Sequence, residues 1–264
     1  MDVLTQFKEA QKQGWAHFLP LETITTPAAA KLLRFAGLGV GQQILDVACG
    51  TGVVAVTAAR AGARVTGLDL TPELLQRARE NAQLAGVEID WHEGDVEQLP
   101  FSDSSFEFVL SQFGHMFAPK PDVAIAEMLR VLKPGGTIAF STWPPELLIG
   151  RLFTLVAHHA PLPPGVAPPQ LWGDPNIIRE HLGNAVKEIV FDQERMLVAA
   201  LSPTHSRVMM ERTAGPVIKL VEILSSQDPA HLALFRREYE TLVTQYLEDN
   251  IIHQDYLMTR ATKI

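Results

Sequence analysis

From Leu45 to Gly52 the chain reads Leu-Asp-Val-Ala-Cys-Gly-Thr-Gly, which sets a carboxylate, Asp46, four residues ahead of a glycine loop. Loops of this kind between a strand and a helix let backbone amides come close to a ligand, most often a phosphate. Written as Gly50-x-Gly52-x-x-Ala55, the loop fits the dinucleotide fingerprint, and Asp69 stands nineteen residues after Gly50, where an acid would take ribose hydroxyls. By spacing alone an NAD-dependent oxidoreductase is a consistent reading. Any cofactor with an adenosine end makes the same two demands.

Charge bears on the choice through Asp46. A carboxylate about 6 Å from a pyrophosphate charge costs roughly 2–3 kcal/mol per charge pair at an effective dielectric near 20, and a cationic ligand gains a comparable amount. S-adenosylmethionine carries a sulfonium and an ammonium, has no phosphate, and ends in a carboxylate that loop amides can hold. It meets the charge requirement that a dinucleotide does not.

The elements that must position these residues follow an α/β alternation from about 42 to 142. Short apolar runs predict strands near 43–47, 63–68, 88–92, 106–111 and 136–142, and amphipathic runs between them predict helices, as in βαβ units of a parallel sheet. In "TPELLQRARENAQLAG", Thr71 is the expected N-cap, Pro72 the first helical residue and Gly86 the stop, with Leu75, Ala78, Ala82 and Ala85 as the buried stripe. "PDVAIAEMLRVL" places Ile125, Met128, Leu129 and Leu132 on one face and ends at "KPGG", a tight turn before the strand "TIAF". Residues 1–41 read as one or two helices. Residues 143–185 hold eight of the eighteen prolines (Pro144, Pro145, Pro161, Pro163, Pro164, Pro168, Pro169 and Pro175), which predicts a short helix and then a stiffened insertion over the strand ends. Beyond it, "AVKEIVFDQERMLVAA" is strand-like, 203–248 largely helical, and "HQDYLMTRATKI" a closing strand.

Composition narrows the function classes. With 22 Lys+Arg against 30 Asp+Glu the net charge is -8, and no basic run with interleaved aromatics offers a footprint for nucleic acid. Cys49 is the single cysteine, so neither an intrachain disulfide nor a Cys-rich metal site is available. Adjacent His158 and His159 do not make a metal site either, because helical neighbours point about 100° apart and no third ligand has useful spacing. The start lacks the pattern of a signal peptide and no apolar run reaches a membrane span, so a soluble cytoplasmic protein is expected, its oligomeric state left open.

Over about residues 25–142 these motifs resemble the class I S-adenosylmethionine-dependent methyltransferases, in particular the branch of the ubiquinone and menaquinone biosynthesis methyltransferases. "ILDVACGTG" is similar to the family's first motif, in which the acid and the loop (here Asp46, Cys49, Gly50, Thr51 and Gly52) surround the methionyl part of the cofactor; the Cys49 side chain itself reads as a small apolar filler. "VTGLDLTPELLQRARENA" resembles the second motif, which implies Asp69 on both ribose hydroxyls and Leu70 against adenine. "HEGDVEQLPFSDSSFEFVLSQFGHMF" resembles the third and fourth, which implies Asp95 at the adenine amino group, Val96 on the ring, and Ser111 and Gln112 near the methionyl segment. "EMLRVLKPGGTIAFSTW" is similar to the helix, turn and fifth strand that follow. Ala48 stands where the family often has Gly, and Glu107 where it often has Asp. The Asn-Pro-Pro-Tyr signature of base N-methylation is replaced by "SQFGHMF", and 143–185 does not follow the quinone enzymes, so their substrate is not carried over.

The resemblance implies a doubly wound α/β fold, Rossmann-like, with a mostly parallel seven-stranded sheet. Residues 1–41 are then an N-terminal helical cap, 42–264 the methyltransferase domain, and 143–185 a substrate lid. The expected reaction moves the methyl of S-adenosylmethionine to a small apolar or aromatic molecule and leaves S-adenosylhomocysteine. A binding scaffold without catalysis is the alternative from another class. If the acceptor is a hydroxyl, a base with a pKa near neutral helps: His115, just past the fourth strand, is the first candidate and His17 the second, with a structurally satisfied histidine as the other reading of each. Trp15, Phe18, Phe113, Met116, Phe117, Trp143, Phe153 and Trp172 are candidate walls of an apolar acceptor pocket or, alternatively, core.

Overall fold

The structure is a computed structural model that describes residues 2–264. It opens with α1 (Val3–Trp15), a 3-10 segment (Ala16–Leu21) and α2 (Glu22–Ala36). Asp2 caps α1 by accepting the Leu4 and Thr5 amides, and Gly37, left-handed at φ 78, closes α2. The alternating region then gives β1 (Gln43–Val47), α3 (Val53–Arg60), β2 (Arg64–Asp69), α4 (Pro72–Ala85), β3 (Asp90–Glu93), β4 (Phe106–Gln112), α5 (Pro121–Val131) and β5 (Leu132–Thr142). Next come α6 (Leu148–His159), α7 (Pro175–Leu182), β6 (Val186–Ala199), α8 (Pro203–Thr213), α9 (Gly215–Gln227), α10 (Pro229–Thr244), β7 (Leu247–Glu248) and β8 (Ile251–Lys263).

Seven strands form one path in the order β3-β2-β1-β4-β5-β8-β6, and the two-residue β7 pairs with β8 as an eighth. The first five are parallel, while β8 runs antiparallel to both β5 and β6. Leu45, Asp46 and Val47 are all buried, so successive side chains on opposite faces of β1 are covered, as a parallel sheet flanked by helices requires. Strand order reverses between β1 and β4, and open α/β sheets bind ligands outside the carboxyl ends at such a switch point. The loops that leave β1 and β4 flank that crevice. The same two loops carry the glycine motif and the segment "GHMF".

Local sequence signals mostly hold. Thr71, Pro72 and Gly86 bound α4 as expected, although the Thr71 hydroxyl makes no cap bond and its amide instead donates to Asp69 Oδ1 at 2.8 Å. Leu74 joins Leu75, Ala78 and Ala82 in the buried stripe, while Ala85 is only half-buried. Leu132 already belongs to β5 rather than to the preceding helix: Phe106 pairs with Leu132 but Phe108 with Thr137, so the Pro-Gly-Gly turn is looped out within the strand. The 203–248 stretch is three helices and then β7, inserted between β6 and β8, which pair along the whole ribbon up to Ala199 and Ile251. The Ala200 amide donates to Asn250 O at 2.9 Å and closes the neck of this insertion. None of the helices among the described residues is long and apolar enough to cross a membrane.

Candidate active site

The loop after β1 turns through left-handed backbone at Ala48, Gly50 and Gly52. A Cβ built on Gly50 would meet nothing within 4 Å, so bare backbone faces open space there. At Gly52, with φ 78, a Cβ would stand 2.7 Å from the Trp91 ring and 3.1 Å from Ala78 Cβ. Gly52→Ala therefore combines the left-handed penalty with overpacking, an expected loss of about 2–4 kcal/mol in urea denaturation. A loss below about 0.5 kcal/mol would mean that Trp91 yields and the close approach is incidental.

Three acids surround this loop in different roles. Asp69, at the end of β2, is 7% exposed and accepts the Gly50 amide at 2.7 Å through Oδ2 and the Thr71 amide at 2.8 Å through Oδ1. Burial raises its carboxyl above the usual range, against the pull of those amides. Asp95 pairs through Oδ2 with Lys8 Nζ of α1 at 2.6 Å and accepts the Glu97 amide at 2.9 Å. Asp46 departs from the expectation of ligand contact. It is 1% exposed and does not line the cavity; its Oδ2 accepts the Ala55 amide at 3.0 Å, and Oδ1 has no partner. Ala55 lies in the first turn of α3, whose N-cap is Gly52, so Asp46 satisfies a helix-end donor that glycine cannot. Burial, with the neighbouring Asp69 adding to it, pushes the Asp46 carboxyl well up.

Cys49, Gly50, Thr51, Asp69, Leu70, Asp95, Val96 and Gln112 all line one cavity, which has an empty volume of about 1710 Å³ including its mouth. Burial raises the Cys49 thiol well above its ordinary value, which fits packing rather than reactivity. Gln112 Nε2 donates to Thr25 O at 3.0 Å, while its buried Oε1 has no partner. Ser111 and Gly52 lie outside the lining: Ser111 Oγ donates to Val47 O at 2.7 Å and accepts the His115 amide at 3.2 Å, tying the ends of β1 and β4 together.

Of the expected walls, Trp15, Phe18, Phe113, Phe117, Trp143 and Phe153 face the cavity. Trp15 packs on Phe117 with centroids 4.6 Å apart, and Phe113 stacks on Trp143 at 4.2 Å. Met116 and Trp172 do not face it; both are 1% exposed and belong to the core. Neither histidine reaches it. His17 is exposed on the 3-10 segment. His115 is fully buried, with Phe140 and Trp172 each 4.7 Å away, and neither ring nitrogen has a partner. Burial lowers its pKa to about 3, so it stays neutral and sealed from any acceptor, and the general-base expectation falls. In the 3-10 turn His115–Phe117, His115 and Met116 are buried, the His115 ring against Phe140 of β5 and Trp172, while Phe117 at the end of the turn reaches the cavity.

The cover differs from the expected lid. Within 143–185 the lining comes from Trp143 and from α6, and nothing from 157 to 185 contributes. Helices α1, α8, α9 and α10 also contribute, including Lys8, Met209, Met210, Val217 and Tyr239, together with Ile24 and Thr25 of α2 and Met196 and Gln254 of the β6–β8 ribbon. These residues were missed because amphipathic helices show which residues are buried but not against what. Among the described residues no group of three or more His, Cys, Asp or Glu could hold a metal ion. His159 instead faces His231 at 2.7 Å with Nδ1 and Glu238 at 2.6 Å with Nε2, a link between α6 and α10.

Comparison with known proteins agrees with this geometry. Residues 45–140 match the methyltransferase domain family. Over 274 aligned residues, 100% of both chains, the protein is 34% identical to the uncharacterized protein Rv1403c of Mycobacterium tuberculosis. The ubiquinone/menaquinone biosynthesis C-methyltransferase UbiE of Bartonella bacilliformis is 40% identical over 128 residues, covering 46% of this chain and 49% of that protein. Among solved structures, phosphoethanolamine N-methyltransferase 2 of Haemonchus contortus, in complex with S-adenosyl-L-methionine, superposes with a TM-score of 0.56 at 19% identity, covering 90% of this chain and 52% of that one. With its sheet order, glycine loop and strand-end acids, the chain belongs to the class I S-adenosylmethionine-dependent methyltransferases.

Proposed function

We propose that the protein moves the methyl of S-adenosylmethionine to a small, uncharged apolar or aromatic molecule held in the same cavity. The observation that carries this reading is the continuity of one cavity from the glycine loop, Asp69 and Asp95 into an apolar chamber. The cofactor fits the residues present. Asp69 keeps a second lone pair on each oxygen for ribose hydroxyls, Leu70 and Val96 offer apolar contact to adenine, and the orphan Gln112 Oε1 suits an ammonium donor. A pyrophosphate fits poorly, because the Gly50 amide it would seek is already bonded to a carboxylate.

When bound, the cofactor supplies a methyl made electrophilic by positive sulfur. The chain's part is to align an acceptor in line with that methyl and to keep water away as charge disperses. Trp143, Phe113 and α6 do the excluding on one side, and α8 to α10 on the other. We read residues 1–41 as the cap, and α6 with α8 to α10, rather than 157–185, as the cover over the acceptor. The family match ends at residue 140, before nearly all of the acceptor-side lining, so the acceptor is read from the chamber and not from a relative. The location we propose is the cytoplasm, on the grounds of the acidic composition and the lone buried thiol.

Calorimetric titration tests the cofactor. Micromolar binding of S-adenosylhomocysteine with none for NAD is expected, and the reverse result would overturn the reading. Tight binding without turnover of labelled cofactor across a broad panel of acceptors would favour a silent scaffold.

A further inference from the structure

Away from the glycine loop the cavity wall comes from α6, α8, α9, α10 and the β6–β8 ribbon, and it is almost wholly apolar. Among the described residues, the Lys, Arg, His, Asp and Glu side chains that line the cavity are only Lys8, Asp69 and Asp95. Lys8 is paired with Asp95 and also with Glu97, each at 2.6 Å, and Asp69 is anchored to the loop. An ammonium-bearing acceptor would thus find no free carboxylate, and a carboxylate or phosphate no free cation. Either would be desolvated without a partner.

Two polar side chains interrupt the apolar half. Gln254, opposite Met196 in the ribbon, shares the wall with it. Tyr239, 1% exposed on α10, has its hydroxyl 3.2 Å from Ser206 Oγ of α8. Burial raises that phenol to about 12, so it keeps its proton. Either hydroxyl of the pair can be the donor; when Ser206 donates to Tyr239 Oη, the phenol proton is left for a ligand and the paired hydroxyls polarise each other. The helices that carry them are braced: Arg207 binds Glu240 at 2.7 Å and Arg236 binds Glu211 at 2.9 Å, joining α8 to α10.

We propose that this chamber is the acceptor site and that Tyr239, oriented by Ser206, is its polar anchor. The acceptor is an uncharged apolar molecule with a hydrogen-bond-accepting oxygen; Tyr239 holds that oxygen while the apolar body packs among Phe153, Met209 and Met210. The proposal rests on the methyltransferase reading above. A site built to donate a hydrogen bond discriminates against an analogue that lacks the oxygen, because the donor is then left unpaired.

The test uses protein saturated with S-adenosylhomocysteine and three probes of one shape: 1-tetralone, tetralin and 1-aminotetralin, a cation at neutral pH. Titration calorimetry is expected to show 1-tetralone binding about 5- to 10-fold tighter than the other two. Tyr239→Phe, which keeps the ring, should erase the preference over tetralin and leave the dissociation constant of S-adenosylhomocysteine unchanged. Ser206→Ala should reduce the preference in part, and it provides the readout if Tyr239→Phe does not fold. Equal binding of tetralin or the amine, no binding of any probe, or a preference that survives Tyr239→Phe would overturn the proposal. Failure of the wild type to bind S-adenosylhomocysteine would instead overturn the reading beneath it.

Discussion

Asp69→Ala is expected to weaken S-adenosylhomocysteine binding by on the order of 2–4 kcal/mol, or about 30- to 1,000-fold in dissociation constant. The carboxylate lines the cavity at the end of β2, where two charge-assisted hydrogen bonds to ribose would be lost. A second consequence comes from its bonds to the Gly50 and Thr71 amides, at 2.7 and 2.8 Å. Losing them unties the glycine loop from the start of α4, so affinity and folding stability should fall together. Asp69→Asn separates the two roles only in part, since its amide must point a donor at one of two donors. Calorimetry reads the affinity and urea denaturation the stability; an unchanged dissociation constant would remove Asp69 from the cofactor site. The pH dependence has a definite sign. Burial raises the folded pKa of Asp69 above its unfolded value, so its ionisation works against folding as pH rises through that interval. The alanine variant should lack that decline on the acidic side.

His115→Phe should leave methyl transfer and S-adenosylhomocysteine binding intact while flattening the dependence of stability on pH. Its folded pKa is about 3 against an ordinary 6.5. Between those values the unfolded chain takes up a proton that the folded chain refuses, so stability is whole above 6.5 and is lost as pH falls toward 3. At about 1.4 kcal/mol per pH unit, the loss over that interval is on the order of 5 kcal/mol. Phenylalanine fills similar space between Phe140 and Trp172 and removes two buried nitrogens without partners, so stability at pH 7 should be equal or higher by about 1–2 kcal/mol. Denaturation midpoints at intervals from pH 7 to about 4 give the comparison. Parallel curves for the two proteins would show that His115 is not buried neutral, and a collapse in turnover with cofactor binding preserved would return it to catalysis.

The cofactor half was legible because its signals are local. Strand, glycine loop and helix lie within a short span from Gln43 to Arg60, and Asp69 follows at the end of the next strand. Leu70, Val96 and Gln112 also line the cavity. Asp46 shows where this kind of reading stops. Charge complementarity gave it a ligand, yet its side chain turns to the Ala55 amide because the Gly52 cap has no oxygen of its own. The same limit applies to His115. Its position just past β4 is local, but whether that turn points outward or beneath Phe140 depends on packing against β5 and Trp172.

By itself the sequence determined the parallel α/β core and the spacing of the glycine loop against the acids Asp69 and Asp95, and therefore a cofactor with an adenosine end. Each depends on residue type and spacing over a few turns or strands, where backbone stereochemistry leaves few options. Only the tertiary structure decided which helices line the cavity away from the glycine loop. Tyr239 and Ser206 are 33 residues apart, and Lys8 reaches Asp95 across 87. Such contacts arise when amphipathic helices choose faces to bury, and that choice is made by the shape of the whole core rather than by any helix's own pattern.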